Sequence, residues 1–160
     1  MVNRIYTAIA KKLEELFDEP LIFFDQLPQT FSGPCFWVRL LKTEQNQLLY
    51  NRYKVTLDFD IMMYPSNDEE FIEELNSVGM ELNSVGMELL HGIEYIVTED
   101  GNYLRGTNIS YEVQDGVLHF FISYILFTIV PYDRGVKMNK LIQQYKYKGV
   151  IRYGRKGKDN

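Results

Sequence analysis

Hydrophobic and polar residues alternate most regularly in residues 103–130, and this pattern predicts a β-hairpin. Asp115 and Gly116 lie near its centre and are typical of a two-residue type I′ turn, because both turn positions need a positive φ. A turn at these residues fixes the register of the two strands. One face is then almost wholly apolar, with the predicted pairs Val113 with Leu118, Tyr111 with Phe120, Ile109 with Ile122 and Thr107 with Tyr124.

The second strand of this hairpin, residues 117–130, is rich in apolar residues on both faces. Its less apolar face is predicted to pair Glu112 with His119, Ser110 with Phe121, Asn108 with Ser123 and Gly106 with Ile125. A strand that is apolar on both faces is usually covered on both faces. We therefore predict that Phe121, Ile125 and Phe127 lie at an interface between subunits or under a helix.

Two amphipathic helices are predicted outside the hairpin. The first covers residues 4–17 with Asn3 as its cap, and its apolar stripe comprises Ile5, Ile9, Leu13 and Leu16. The second begins after Ser66, which forms a capping-box signature with Glu69, and it ends at Gly92.

The second helix contains a tandem repeat, because the residues ELNSVGM at 74–80 recur at 81–87. Seven residues are close to two helical turns, so the copy shifts the apolar seam by only about 20°. That seam comprises Phe71, Leu75, Val78, Leu82, Val85 and Leu89. We interpret the repeat as a duplication that lengthens one helix by about 10 Å.

Four further segments have the pattern of strands: residues 21–24, 35–42, 53–63 and 93–97. In residues 53–63 the inward side chains are Tyr53, Val55, Leu57, Phe59, Ile61 and Met63, and the outward ones are Lys54, Thr56, Asp58 and Asp60. In residues 35–42, Phe36, Val38 and Leu40 lie opposite Cys35, Trp37 and Leu41. Residues 43–47, TEQNQ, are predicted to be a polar connector.

The resulting order, α-β-β-β-α-β-β-β, predicts an α+β fold in which two main helices pack on an antiparallel sheet. With 160 residues, 46% of them hydrophobic, the chain can bury a core of its own. We predict a single domain over residues 1–135 and a basic C-terminal tail over residues 136–160.

The charge is distributed unevenly between these two parts. Residues 137–160 carry eight Lys or Arg and one acid, a net charge of +7, whereas residues 1–136 carry nine basic and 21 acidic residues, a net charge of −12. The distribution indicates a chain that meets a partner through its C-terminus, with Lys146, Lys148, Arg152 and Arg155 as candidate partner-binding residues. The alternative is a solubilising extension. Direct DNA binding is disfavoured, because the body would repel the duplex.

Candidate catalytic chemistry is sparse, since the chain has two histidines and one cysteine. His119 is predicted to form a structural pair with Glu112, and Cys35 to be a small buried hydrophobic residue. Asp58 and Asp60 follow a spacing that any solvated strand face produces. We predict no enzyme, no metal and no cofactor. No run of about 18 apolar residues is present, so no membrane span is expected, and synthesis in the cytoplasm is the interpretation.

Four blocks of the sequence carry a family resemblance: PCFWVRLL at 34–41, QLLYNRY at 47–53, FDIMMYP at 59–65, and RGTN at 105–108 followed by DGVLHF at 115–120. Together they resemble the tail terminator, or tail completion, proteins of long-tailed phages and prophages. The resemblance covers roughly residues 2–132. The tandem repeat and the basic tail are not part of the family's pattern.

The resemblance implies an α+β subunit that forms a ring, usually a hexamer, with other copies of itself. Such a ring stops growth of the tail tube and provides the surface for head attachment. Its implied partners are the tail tube protein and a head–tail neck protein, first in the cytoplasm of the bacterial host and then in the virion tail. Two alternatives stay open: a head–tail connector component, and a small intracellular ligand-binding or enzymatic domain.

Overall fold

The computed structural model of the chain describes residues 1–31, 33–65 and 75–131, with the backbone alone for residues 75–80. The elements of this part are α1 (Val2–Leu16), β1 (Leu21–Phe24), β2 (Cys35–Leu49), β3 (Arg52–Tyr64), α2 (Leu75–Gly92), β4 (Tyr95–Val97), β5 (Tyr103–Gln114) and β6 (Val117–Ile129). Their order confirms the predicted α+β fold. The chain divides into two units, Met1–Val130 and Pro131–Asn160, and the domain boundary at residue 135 stays a prediction.

The strands form one sheet in the order β1-β2-β3-β6-β5-β4. The pairs formed among β2, β3, β4, β5 and β6 are all antiparallel, as predicted. The remaining pair, β1 with β2 at the edge of the sheet, is parallel. The ten residues 25–34 carry the chain back to the end of the sheet where β1 began, which a parallel pair requires.

One face of the sheet is covered by α1 and α2, and we call it the helix face. Alternate residues of the central strands are buried there, as the period-2 pattern predicted: Val55, Leu57, Phe59, Ile61 and Met63 on β3, and Leu118, Phe120, Ile122 and Tyr124 on β6. From α1 they meet Ile5, Ile9 and Leu13, and from α2 they meet Leu82 and Leu89. Each such side chain stabilises the fold by about 1.5–3 kcal/mol through its removal from water.

The first helix begins earlier than the sequence predicted. It starts at Val2, with Met1 as an N-cap that makes no side-chain hydrogen bond. The predicted cap, Asn3, lies within the helix, where its carbonyl accepts a hydrogen bond from the Thr7 hydroxyl at 3.0 Å. Val2 packs against the core. Because of this contact the helix begins before Asn3, the residue that was predicted as its cap.

The segment predicted as a polar connector is part of a strand. Residues 43–47 belong to β2 and pair with β3 from Leu57 to Tyr53. Every residue from Leu41 to Tyr50 is exposed, so this end of the β2–β3 hairpin is an arm with water on both sides of its first strand. Such a strand needs no alternation of apolar and polar residues, and the sequence pattern therefore failed to show it.

The hairpin of β5 and β6 confirms the predicted turn and part of the predicted register. Asp115 and Gly116 both have positive φ, at 53° and 73°. The predicted pairs hold from Val113 with Leu118 to Ser110 with Phe121, and a β-bulge follows between Thr107 and Ser110. Beyond it the predicted pairs are wrong: Thr107 lies opposite Ser123, and Gly106 opposite Tyr124.

Asn108 forms this bulge with a φ of 52°, a conformation that Asn tolerates better than most residues. The extra residue reverses the alternation of β5. Ile109 and Tyr111 therefore contact the core on one side of the bulge, and Leu104 contacts it on the other. Gly106 also faces the core, where a Cβ atom would lie 2.3 Å from Cδ1 of Ile122.

The second copy of the tandem repeat packs on the sheet through α2. Leu82 is buried and Val85 is partly buried against the core, while Gly86 lies where a Cβ atom would be 2.7 Å from the Tyr111 ring. Gly92 ends the helix, as predicted. The predicted cap at Ser66 and the seam residue Phe71 lie outside the described residues, and the side chains of Leu75 and Val78 are not described.

Deletion of residues 81–87 is expected to leave a folded protein. The two copies are identical, so Leu75, Val78 and Gly79 of the first copy take the places of Leu82, Val85 and Gly86 with a phase change of only about 20°. Far-UV circular dichroism and thermal unfolding should show a cooperative transition. A deletion of residues 83–87 is the control, because removing five residues rotates the apolar seam by about 140°. Unfolding by the seven-residue deletion alone would contradict the continuous amphipathic helix.

Candidate assembly surface

The sheet face opposite α1 and α2, which we call the open face, carries most of the remaining candidate residues. The register of β2, β3 and β6 aligns three rows of side chains on it: Trp37 with Met62 and His119, Arg39 with Asp60 and Phe121, and Lys42 with Asp58 and Ser123. The residues that alternate with them, such as Val38, Ile61 and Phe120, belong to the core on the helix face.

A buried carboxylate and a histidine lie at the centre of the open face. Nδ1 of His119 is 3.0 Å from Oδ2 of Asp60. The sequence predicted that Asp60 is solvated, but its exposure is 5%, because a short side chain between Arg39 and Phe121 has little access to water. Glu112 lies opposite His119 on β5, as predicted, yet the described hydrogen-bond partner of His119 is Asp60 on β3.

Burial determines the acid–base property of this carboxyl group. Desolvation raises the pKa of Asp60 above its ordinary value, because removal from water disfavours the charged form. The hydrogen bond and the charge of His119 act in the opposite direction and lower the pKa. His119 is thus the main local group that favours the ionised state of Asp60.

Two buried polar atoms of the open face have no hydrogen-bond partner among the described residues. They are Oδ1 of Asp60 and Nε1 of Trp37. The guanidinium of Arg39 lies 5.0 Å from the centre of the Trp37 ring, a cation–π distance. Unsatisfied buried polar atoms cost about 1–3 kcal/mol each, so these two atoms reduce the stability that the paired strands around them supply.

A second polar cluster follows along the same strands, next to the bulge. The Ser123 hydroxyl donates to Oδ1 of Asp58 at 2.6 Å, and the Asn108 side chain reaches the same hydroxyl at 3.5 Å. Ser123 and His119 are four residues apart on one strand, about 13 Å. The serine is therefore bonded to a carboxylate and remote from the imidazole, which is not the arrangement of an activated nucleophile.

Cys35 is 1% exposed, as predicted for a small buried residue, and burial raises the pKa of its thiol. Across residues 1–31, 33–65 and 75–131, no group of three or more His, Cys, Asp or Glu side chains is arranged to hold a metal ion. No helix in the described part of the chain is long and apolar enough to cross a membrane.

The three predicted interface residues all lie on the open face. Phe121 is half-buried and stacks on His119, with ring centres 6.2 Å apart. Ile125 is half-buried, whereas Phe127 is 74% exposed. None of the three belongs to the core under the described parts of α1 and α2. Their role at a subunit interface stays a prediction.

Exposed apolar residues continue from Phe127 to the end of the sheet. Ile129 and Val130 are exposed there, beside the β2–β3 turn that carries Leu48, Leu49 and Tyr50. The backbone amide of Val130 donates to the Asn51 carbonyl at 2.9 Å, and the Asn51 side chain donates to the Val130 carbonyl at 2.9 Å. These reciprocal bonds hold the two apolar segments together. We call the five residues of these segments the apolar tip: Leu48, Leu49, Tyr50, Ile129 and Val130.

Comparison with known families decides the class of this protein. Residues 4–135 match the family described as phage tail terminator protein. The chain belongs to the phage tail terminator family. This result confirms the family that the sequence blocks indicated, and the family name describes a structural component of the virion tail.

Other comparisons add little to the assignment of this tail terminator family member. No curated protein sequence matches it. Among solved structures, one similar chain is 13% identical, with 83% of this chain and 98% of that chain covered and a TM-score of 0.40. A likeness of that degree carries no argument about function.

Sequence reasoning found part of this surface of the terminator. Phe121, Ile125 and Phe127 were predicted to lie at a subunit interface or under a helix, and the structure places them on the open face. The pairing of Asp60 with His119 was missed, because it depends on which strand lies next to β6. The apolar tip was missed as well: LLY at 48–50 follows the segment predicted as a connector, and only IV at 129–130 ends a predicted strand. Lys146, Lys148, Arg152 and Arg155 lie outside the described residues.

The substitution His119→Gln should destabilise the terminator more at neutral pH than at pH 4. The raised pKa of Asp60 means that this carboxyl contributes its stability below the unfolded-state pKa and loses it as pH rises through the folded-state pKa. Without His119 that pKa rises further, so the loss grows to about 1–3 kcal/mol at neutral pH. Urea unfolding at both pH values measures it.

The matched control for this prediction is Glu112→Gln, which changes the exposed neighbour of His119 on β5. It should leave the free energy of unfolding nearly unchanged at both pH values. If Glu112→Gln and His119→Gln were equally destabilising, Glu112 would be the energetically important partner of His119. In Asp60→Asn, the pH dependence of the His119→Gln effect should be lost.

Proposed function

We propose that this terminator family member forms a ring of identical subunits, six as the family resemblance implies, that caps the tail tube. The ring stops elongation of the tube and offers its other side to a head–tail neck protein. It assembles in the cytoplasm of the bacterial host and remains in the virion tail. The function requires specific contacts with copies of itself and with two partners, and no catalytic step.

The observation that carries the proposal is the exposed apolar surface formed by Phe127 and the apolar tip. The end of β6 contributes Phe127, Ile129 and Val130 to it, and the β2–β3 turn contributes Leu48, Leu49 and Tyr50. An exposed apolar patch rimmed by polar residues is typical of a protein–protein interaction site. In a chain of the tail terminator family, the expected partner for such a patch is another tail component.

Charge supports the assignment of a second contact. The C-terminal residues 137–160 have a net charge of +7, and residues 1–136 have a net charge of −12. A basic segment on an acidic subunit is attracted to neighbouring acidic surfaces and repelled from other basic segments. We therefore assign Lys146, Lys148, Arg152 and Arg155 to docking on an acidic neighbour, an attraction that salt should weaken.

Controlled tube assembly tests the proposed function. The full-length chain is added to tail tube protein that is elongating, and tube lengths are measured by electron microscopy. A terminator should bind tube ends and shorten the length distribution as its concentration rises. Binding to neck protein without any effect on tubes would instead identify a head–tail connector, and unchanged tubes together with no end-binding would refute the proposal.

The variant Phe127→Glu should dissociate the ring and leave a folded subunit. Phe127 is 74% exposed within the subunit, so its replacement removes little from the fold but places a charge in the proposed interface. Phe121→Glu should dissociate the ring as well, but Phe121 stacks on His119, and its loss would also affect the subunit. Size-exclusion chromatography with light scattering should show a shift towards the 18.9 kDa chain mass.

Met87→Glu is the matched control, since Met87 is 48% exposed on α2, on the opposite side of the sheet. It adds the same charge and should keep the ring mass. Equal dissociation by both variants would attribute the effect to net charge, and an unchanged mass for Phe127→Glu would exclude Phe127 from the interface.

A further inference from the structure

The sheet contains an opening between β5 and β6. The two strands pair from the turn as far as Gly106 with Tyr124. Beyond this point Tyr103, Leu104 and Arg105 pair with β4, while β6 continues to Ile129 beside β3. The edge of β6 from Ile125 to Ile129 that faces β5 therefore has no strand paired to it among the described residues.

Local contacts keep the first residues of β5 away from β6. The Gly106 amide donates to the Glu94 carbonyl at 2.6 Å, and Nε of Arg105 donates to Oε1 of Glu94 at 2.8 Å. Arg105 also lies 5.9 Å from the centre of the Tyr95 ring on β4. These bonds tie the first residues of β5 to β4 and its preceding residue, and the bulge at Asn108 starts the divergence from β6.

The opening is a groove with a volume of about 610 Å³. Its lining includes Tyr103, Leu104 and Arg105 from β5 and Ile125, Leu126 and Phe127 from β6. Tyr103 is 77% exposed and Phe127 is 74% exposed. A groove that combines free backbone donors and acceptors with apolar side chains is suited to an added β-strand, and such an edge promotes aggregation when it stays open.

The chain itself contains a segment with the composition of such a strand. Residues 145–153, YKYKGVIRY, begin with alternating Tyr and Lys and continue with Val150 and Ile151. Aromatic and β-branched residues favour the extended conformation, and an aromatic residue beside Phe127 would form a stabilising cross-strand pair. The charged residues that line the groove are Lys54 and Arg105, and Arg105 is paired with Glu94, so main-chain pairing and apolar contacts, rather than local charge, favour this segment.

Chain length permits delivery of this segment to a neighbour. The 13 residues 132–144 separate it from Pro131, at the end of β6. Fully extended, they span at most about 45 Å, more than the diameter of a small domain. In a closed ring with head-to-tail contacts, each subunit gives its segment to the next subunit. Every groove is then filled and no edge stays open.

We propose that residues 145–153 of one subunit add as a strand to the open edge of β6, Ile125 to Ile129, in the adjacent subunit. This inference rests on the proposed ring and names the adjacent subunit as the neighbour on which the C-terminal residues dock. The added strand satisfies the free backbone groups of β6 and covers Ile125 and Phe127. The interaction links subunits through main-chain hydrogen bonds, which makes it independent of shape complementarity elsewhere.

Disulfide cross-linking of two full-length variants tests the proposal. One carries Asn102→Cys, at a position that lines the groove, and the other carries Ile151→Cys. Cys35 is 1% exposed and should not react. After mixing and mild oxidation, a linked pair of chains should form several-fold more than with Met87→Cys in place of Asn102→Cys. The oligomeric mass of the same samples is measured before oxidation.

The outcomes separate this inference from the proposed function. A ring mass without linkage above the Met87→Cys control overturns strand donation and leaves the ring in place. A link that forms within one chain, in the double variant Asn102→Cys with Ile151→Cys, and not between chains, overturns donation to a neighbour. A monomer mass in all samples overturns the ring and the donation together.

Discussion

The pairing of β3 with β6 is the constraint on which the rest of the structure depends. Twelve residue pairs, from Arg52 with Ile129 to Met63 with Leu118, hold the two strands in one uninterrupted register. This register places every second side chain of both strands under α1 and α2. It also decides what lies on the open face, because Asp60 meets His119 and Asp58 meets Ser123 across the same two strands.

The sequence predicted those parts of the fold in which one local pattern dominates. Asp115 and Gly116 located the turn of the last hairpin, and the alternation from Val55 to Met63 located the central strand. The bulge at Asn108 escaped prediction because it changes the alternation within a continuous strand. A signal was present, since the apolar residues change from even positions, Leu104, to odd positions, Ile109 and Tyr111. A single extra residue therefore explains the shift.

The surface was harder to predict than the core, for a physical reason. Burial of Asp60 depends on the neighbours that strand order places on both sides of β3, and strand order is a long-range property. The family match establishes a structural tail protein, and the geometry offers an apolar region of the open face and an open edge on β6. Phe127 and the open edge both lie on the half of β6 that extends past its last pair with β5, whereas Leu48, Leu49 and Tyr50 of the apolar tip come from the β2–β3 turn.

The β2–β3 arm has a mechanical consequence. From Leu41 to Tyr50 its first strand is exposed at every residue, so no buried side chain of that strand opposes a change in its direction. Bending of the exposed part of β2 away from β3 distorts ladder hydrogen bonds but exposes little apolar surface. Its partner β3 resists such a movement, because Val55 and Leu57 are buried and β3 stays paired with β6 as far as Arg52. The exposed part of β2 is thus compliant, whereas the bonds between Asn51 and Val130 fix the apolar tip to the stiff β3–β6 pair.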